Sequence, residues 1–294
     1  MPRKHHVPGR WAFLATLAVL LTLGGCREAS TPTTPATAGA ANRPAQAVRQ
    51  LTAHLHDNDW VAFARDAVPP ALHAQLQVAW REGRTRWPLD ELPFDERLPA
   101  LLKSLAAPGS EARLQQVFAR QFSGKQAELR AAAAALGLFG AQYLDREGDY
   151  SADERAHYAQ LVAAMSHWGM VAPLGDPQRA RQAIPQLAAA ARRTGLVTPA
   201  DFAAAGMDES LRRLAPFAVT LKKVLARQYR LPLDASLAGM QVSLLQQTGD
   251  SARVRMRYQL GGSDIDTVVA LQRVDGRWYL EDYLRHARAA VAAP

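Results

Sequence analysis

The chain has 294 residues and only one cysteine, Cys26. A single cysteine cannot close an intrachain disulfide, so the sequence excludes the disulfide-rich scaffolds of small secreted proteins. It also excludes zinc sites that are built from several cysteines. Three roles remain for Cys26: an intermolecular disulfide, a reactive thiol or a site of modification.

The sequence also lacks the common catalytic motifs. It contains no Gly-x-Ser-x-Gly, no His-Glu-x-x-His and no phosphate-binding loop. The histidines do not have the spacing of metal ligands, because His54 and His56 diverge on a helix and His157 and His167 have no nearby second ligand. We therefore expect no metal and no cofactor, and the sequence favours a binding role over an enzymatic one without deciding between them.

The N-terminal part contains an apolar run that is too short to cross a membrane. Trp11–Leu23 has thirteen residues, about 20 Å of helix at 1.5 Å per residue, whereas a bilayer core is about 30 Å thick. Arg3, Lys4 and Arg10 precede the run. A positive start, a short apolar middle and small residues after it are typical of a secretory signal peptide, which we predict over residues 1–25.

The end of this segment, Leu23-Gly24-Gly25-Cys26, resembles the lipobox of bacterial lipoproteins. The resemblance implies that Cys26 is lipidated on sulfur, for example with palmitate, and becomes the N-terminus of a membrane-anchored protein. Arg27 follows, where aspartate would resemble an inner-membrane retention signal, so the resemblance implies the outer membrane, facing the periplasm. The alternative is an incidental thiol at the end of a hydrophobic anchor.

The charge balance is positive. The formal net charge is +8, and removal of residues 1–25 takes away three positive charges, which leaves +5. This balance favours anionic lipid headgroups, anionic polysaccharide or nucleic acid, although a compositional bias towards alanine and arginine gives the same excess. Because the export signal argues against nucleic acid, the expected partners are an envelope protein, a lipid or an anionic polysaccharide.

The chain after Cys26 divides into three parts. Residues 26–44 are rich in Thr, Pro and Ala without apolar periodicity, which predicts a disordered tether. Residues 45–237 carry apolar side chains at helical spacing, and Ser151 with Glu154 fits a capping box. Over residues 238–288 the period changes to two. The sequence therefore predicts an α+β fold, a mainly helical body followed by an antiparallel sheet packed on the helices.

Four alternating runs form the predicted sheet, and glycine- and aspartate-rich turns separate them. Such turns between alternating runs are strong hairpin signals, so we predict a four-stranded antiparallel meander. The four runs are Met240–Thr248, Ala252–Leu260, Ile265–Val274 and Arg277–Leu284.

The turn lengths predict which residues face each other. We expect Leu260 to pair with Ile265, and Val269 to pair with Asp282. The apolar face of the sheet then carries Val254, Met256, Tyr258, Leu260, Ile265, Val269, Leu271, Trp278 and Leu280. The opposite face carries Arg253, Arg255, Arg257, Gln272, Arg277 and Glu281.

Helices that lead into a meander ending Gly-Arg-Trp-Tyr-Leu resemble the nuclear transport factor 2-like superfamily. The resemblance covers residues 45–80, including Asn58-Asp59-Trp60, and residues 238–288. It implies a cone-like sheet, with residues 100–230 as a large helical insertion or a separate domain. It also implies that the space between helices and sheet is a ligand pocket, an active site or plain core.

Asp282 falls on the apolar face of the predicted sheet. A carboxylate in an apolar setting has a raised pKa and can act as an acid or base, as Asp and His do in enzymes of the resembled superfamily. Tyr258, Met256 and Trp278 would line the same cavity. The alternatives are that Asp282 lies at the rim or faces water, and that the other three side chains are plain packing.

Arg253, Arg255 and Arg257 form a cationic row on the opposite face. This row could meet lipid phosphate or a carboxylate-bearing polymer, although alternation along a strand alone also produces such a solvated face.

Three functions fit these observations. The first is a membrane-tethered, periplasm-facing lipoprotein that binds a partner protein or an envelope component without catalysis. The second is a carrier or sensor of a small apolar ligand, such as a lipid, held between helices and sheet. The third is an envelope enzyme that uses Asp282. An interior filled by Tyr258, Met256 and Trp278 would argue against the carrier.

Overall fold

The computed structural model describes residues 39–91, 97–146 and 150–293, so Cys26 and the predicted signal peptide lie outside the described residues. The fold is α+β, with helices followed by a four-stranded sheet and one last helix, as predicted. The helices are α1 Pro44–Asp57, α2 Trp60–Asp66, α3 Pro70–Arg81, α4 Leu98–Ala106, α5 Ser110–Gln121, α6 Gln126–Arg146, α7 Ala152–Val171, α8 Pro177–Thr194, α9 Pro199–Ala205, α10 Met207–Tyr229, α11 Leu233–Ala238 and α12 Glu281–Ala292. The strands are β1 Gln241–Thr248, β2 Ser251–Leu260, β3 Ser263–Val274 and β4 Arg277–Leu280.

Local capping chemistry sets the start of several helices. The Ser151 side chain accepts from the backbone N–H of Glu154 at the start of α7, and the Glu154 carboxylate accepts from the Ser151 N–H. This reciprocal pair is the predicted capping box, and it satisfies two amides that the helix itself leaves unpaired. Asp59 caps α2 in the same way through the Ala62 N–H at 3.0 Å.

The sheet is a meander in the order β1-β2-β3-β4, and it does not close into a barrel. All neighbours are antiparallel, and Leu271 lies opposite Leu280. The predicted pairing of Leu260 with Ile265 is wrong, because a two-residue Gly-Gly turn places Tyr258 opposite Ile265. This error of two residues in the register leaves the side chains of β2 and β3 on their predicted faces, since side chains alternate with a period of two.

The fourth strand is shorter than predicted. β4 ends at Leu280, and α12 begins at Glu281. The predicted pairing of Val269 with Asp282 is therefore wrong, and Glu281 does not belong to the polar face of the sheet. The last helix instead packs against α3 and β3 and buries Tyr283, Leu284 and Ala287.

The helices and the sheet share one hydrophobic core. Leu161 and Met165 of α7 belong to the same buried cluster as the apolar face of the sheet. α6 packs along α7 at such close range that a Cβ on Gly137 would lie 2.4 Å from the Ser166 hydroxyl oxygen. The predicted helical region and the predicted sheet are thus joined by continuous packing rather than by a linker.

Packing also begins before the predicted end of the tether. Ala40 and Ala41 are buried, although they fall within residues 26–44. The Ala41 carbonyl accepts from the backbone N–H of Trp278 at 3.0 Å, and the Arg277 guanidinium donates to the Ala40 carbonyl. Ala40 and Ala41 therefore lie beside β4, and α1 begins at Pro44, so the prediction of a tether up to Pro44 is wrong for this last part.

Candidate functional site

Asp282 lies in the first turn of α12 rather than in a strand. Its side chain is 15% exposed. One carboxylate oxygen accepts from the Ser151 hydroxyl at 3.2 Å, and the other from Arg285 at 3.1 Å. Asp282 therefore lies neither on the apolar face of the sheet nor free in water; it lies just after the end of β4, and two polar side chains engage it.

Asp282 belongs to a larger ionic cluster, in which the His286 ring joins two carboxylates. His286 Nδ1 lies 2.8 Å from Glu91, and Nε2 lies 3.3 Å from Glu154. The Trp87 indole donates to the other Glu91 oxygen at 2.8 Å, and Arg285 donates to Glu154. We call Glu91, Glu154, Asp282, Arg285 and His286 the ionic cluster.

Burial changes the titration of two members of this cluster. Burial, assisted by the negative charge of Asp282, raises the pKa of Glu154 to about 7, even though Ser151, His286 and Arg285 favour the ionised form. Burial by itself would lower the pKa of His286, but the hydrogen bond to Glu91 and the charges of Glu91 and Glu154 raise it. The pKa values of both groups are therefore raised, each with burial opposing its charged form.

The ionic cluster connects segments that are distant in the sequence. Glu91 belongs to a 3-10 turn, Glu154 to α7, and the other members to α12, so the side chains hold the last helix against the body. Among the residues that the structure describes, no group of three or more His, Cys, Asp or Glu is arranged to hold a metal ion. The ionic cluster is therefore better suited to hold α12 against the body in a pH-dependent way than to catalyse a reaction.

The side chains that were expected to line a cavity lie in the core. Met256, Tyr258 and Trp278 are 0%, 4% and 2% exposed, respectively, and all three belong to the shared hydrophobic cluster. The Tyr258 hydroxyl lies 2.8 Å from His157 Nε2 of α7, and both groups are buried. Burial lowers the pKa of His157 to about 4, so this histidine is neutral at physiological pH.

Aspartates neutralise most of the predicted cationic row. Arg253 donates to Asp153 at 3.0 Å, and Arg255 binds Asp266 through two nitrogens, one of them at 2.7 Å. The hydrogen bond from Arg255 lowers the pKa of Asp266. Arg257 differs from the other two, because within residues 39–91, 97–146 and 150–293 no hydrogen bond or salt bridge joins its side chain to another residue.

Arg257 lines an open depression of 690 Å³ at the end of the sheet. The depression lies between the chain that links α10 to β1 and the turn between β2 and β3. Its polar lining residues are Arg230, Ser236, Gln241, Arg257, Gln259, Asp264 and Asp266.

Packing holds the walls of the depression in place. Gly261 of the β2–β3 turn lies so close to α7 that a Cβ would be 2.8 Å from the Trp168 Cβ. The Trp168 indole donates to the Tyr229 carbonyl at 2.8 Å, next to Arg230. Arg230 itself has a left-handed backbone and ends α10 through a hydrogen bond to Leu225. The two sides of the depression are thus joined through α7.

Sequence reasoning identified Arg257 but missed Arg230, His157 and the partners of Asp282. Glu154 carried one signal, its place in the capping box, although that motif predicts a helix start and not an ionic cluster. Nothing in the sequence spacing of Arg230 marked it, because it follows a different element and shares the depression with Arg257 only through the fold.

No family model, no curated protein and no solved structure matches the chain. The lipobox and the likeness to the nuclear transport factor 2-like superfamily therefore depend on the sequence motifs alone. Within the part of the chain that the structure describes, no helix combines the length and the apolar character needed to cross a bilayer.

Proposed function

We propose that the protein is a lipid-anchored lipoprotein of the bacterial envelope, attached through Cys26 and facing the periplasm. Its folded body binds an envelope component without catalysis. The observation that carries the proposal is the depression of 690 Å³, which offers polar groups at the surface.

The proposal thus has two parts, a lipid anchor at Cys26 and a folded body that acts as a binding protein and not as an enzyme.

The anchor keeps the body close to a membrane. Residues 27–38, twelve residues, separate Cys26 from Gly39, where the described structure begins. At no more than about 3.6 Å per residue, this segment spans at most about 40 Å. A single acyl chain holds a protein only marginally, so the several chains of a lipoprotein would be needed for stable attachment. The ligand is therefore expected within reach of the envelope surface.

The state of the interior favours surface binding over the two other functions. Met256, Tyr258 and Trp278 fill the space that a carrier would use for its ligand. Asp282 is engaged by Ser151 and Arg285, which supports a structural role for this carboxylate.

Labelling in cells tests the anchor. The protein should incorporate labelled palmitate, and Cys26→Ser should abolish the incorporation. Palmitate incorporation that persists in the variant would contradict the lipid anchor.

Photocrosslinking in the intact envelope tests the binding function. A photoreactive residue at Gln241, in the depression, should form an adduct whose mass identifies an envelope component. The matched control is Gln247, which is exposed on the same strand but outside the depression. Equal adducts at both positions, or none at Gln241, would refute the proposal.

A further inference from the structure

Resting on the proposed function, we infer that the depression binds a carboxylate-bearing saccharide, with Arg230 and Arg257 holding the carboxylate. Both arginines line the depression and are exposed. Among the described residues, neither side chain forms a hydrogen bond or a salt bridge. Their guanidinium groups therefore keep donors that suit the two oxygens of a carboxylate.

The neighbours of Arg257 leave these donors available. Arg257 lies between Gln241 of β1 and Asp266 of β3, which are its direct partners in the sheet. Asp266 attracts Arg257 electrostatically, but its carboxylate is already hydrogen-bonded by Arg255. Arg255 thus largely neutralises the Asp266 carboxylate, and the guanidinium of Arg257 keeps its hydrogen-bond donors available.

The remaining polar groups match sugar hydroxyls. Ser236, Gln241 and Gln259 supply a hydroxyl and two amides, which both donate and accept hydrogen bonds. Asp264 accepts from Gln259 through one oxygen at 3.0 Å, and carboxylates have further acceptor capacity. The volume of 690 Å³ lies within the usual range of about 300–1,000 Å³ for ligand sites.

The lining favours a saccharide over a phospholipid. An acyl chain needs a continuous apolar surface, whereas the apolar side chains here are limited to residues such as Pro232, Ala235 and Ile265. Two aspartates also line the depression, and they repel a free phosphate, which carries up to two charges near neutral pH, more strongly than a singly charged carboxylate.

Calorimetric titration of the full-length lipidated protein in detergent tests the inference, with digalacturonate as the probe. Methyl-esterified digalacturonate, which has the same sugars without the charge, should bind at least about tenfold more weakly. Arg257→Ala and Arg230→Ala should each weaken the binding of digalacturonate by a similar factor. Arg253→Ala is the matched control, because Arg253 lies on the same strand and face but pairs with Asp153 outside the depression, and it should change the affinity less than twofold.

Three results would overturn the inference. Digalacturonate that does not bind, or that binds the arginine variants as well as the unchanged protein, excludes the assigned site. Arginine-dependent binding of phosphatidylglycerol vesicles or inorganic phosphate, without binding of digalacturonate, assigns the depression to phosphate instead. If the Gln241 adduct forms while digalacturonate fails to bind, the inference is wrong and the binding function stands.

Discussion

The buried pair of His157 and Tyr258 should behave as one energetic unit. Each side chain is the polar partner of the other at 2.8 Å, inside the packing between α7 and β2. His157→Leu leaves the Tyr258 hydroxyl buried without this partner, and Tyr258→Phe does the same to the imidazole. We expect each single change to cost about 1–3 kcal/mol, whereas the double change should cost less than the sum, because apolar groups then replace both partners.

The same pair should control part of the acid sensitivity. The pKa of His157 is about 4 in the folded protein and 6.5 ordinarily, so the unfolded chain binds the extra proton between these values. Stability from the neutral histidine is therefore fully present above pH 6.5 and is lost as the pH falls towards 4. The loss amounts to about 3 kcal/mol, from about 1.4 kcal/mol per unit of pKa shift.

Urea unfolding, followed by tryptophan fluorescence, measures both effects. The unchanged protein, both single variants and the double variant are compared at pH 7, and the unchanged protein and His157→Leu are compared again at pH 4.5. Subtracting the loss of unfolding free energy in His157→Leu from the loss in the unchanged protein removes the contributions of the other titrating groups. Equal losses on acidification, or single-variant costs that add fully in the double variant, would refute the reasoning.

Three further predictions concern the ionic cluster and two close contacts. Because the pKa of Glu154 is raised, its stabilising contribution is present below about pH 4.5 and is lost as the pH rises to 7. Between pH 5 and 7 the free energy of unfolding of Glu154→Gln should therefore fall by about 2 kcal/mol less than that of the unchanged protein. Equal losses in urea unfolding would contradict this. Gly261→Ala should cost about 2 kcal/mol or more in urea unfolding, because its Cβ would meet Trp168 and its φ is +57°. Gly137→Ala should also lower the free energy of unfolding, by about 1 kcal/mol in the same assay, because the clash with Ser166 exceeds the gain in helix propensity. A more stable variant would contradict the tight packing of α6 on α7.

The elements that sequence predicted well are those decided by neighbouring residues. The capping box of Ser151 and Glu154 forms because both partners lie three residues apart. Met256 and Tyr258 face the core because alternation along a strand is a local property. An error of two residues in the β2–β3 turn left that face unchanged.

The end of β4 shows where local patterns fail. Tyr283, Leu284 and Ala287 are spaced for a helix, yet they closely follow the alternating strand residues Trp278 and Leu280, and the sequence prediction extended that strand to Leu284. A short segment can satisfy both periods, and the packing of α12 against α3 decides between them. The burial of Ala40 and Ala41 was likewise invisible in a polar, proline-containing segment, because it depends on the edge of β4.

The sequence by itself determined the resemblance at Cys26, the division into helices and sheet, and the apolar face of the sheet, because each depends on neighbouring residues. Only the tertiary structure decided which charges meet. His286 finds Glu91 across 195 positions, and Arg257 shares a depression with Arg230 from another element. Hydrogen bonds form only within about 3 Å, so the contact of His286 with Glu91 depends on how whole helices pack, and the same packing brings the two arginines to one depression.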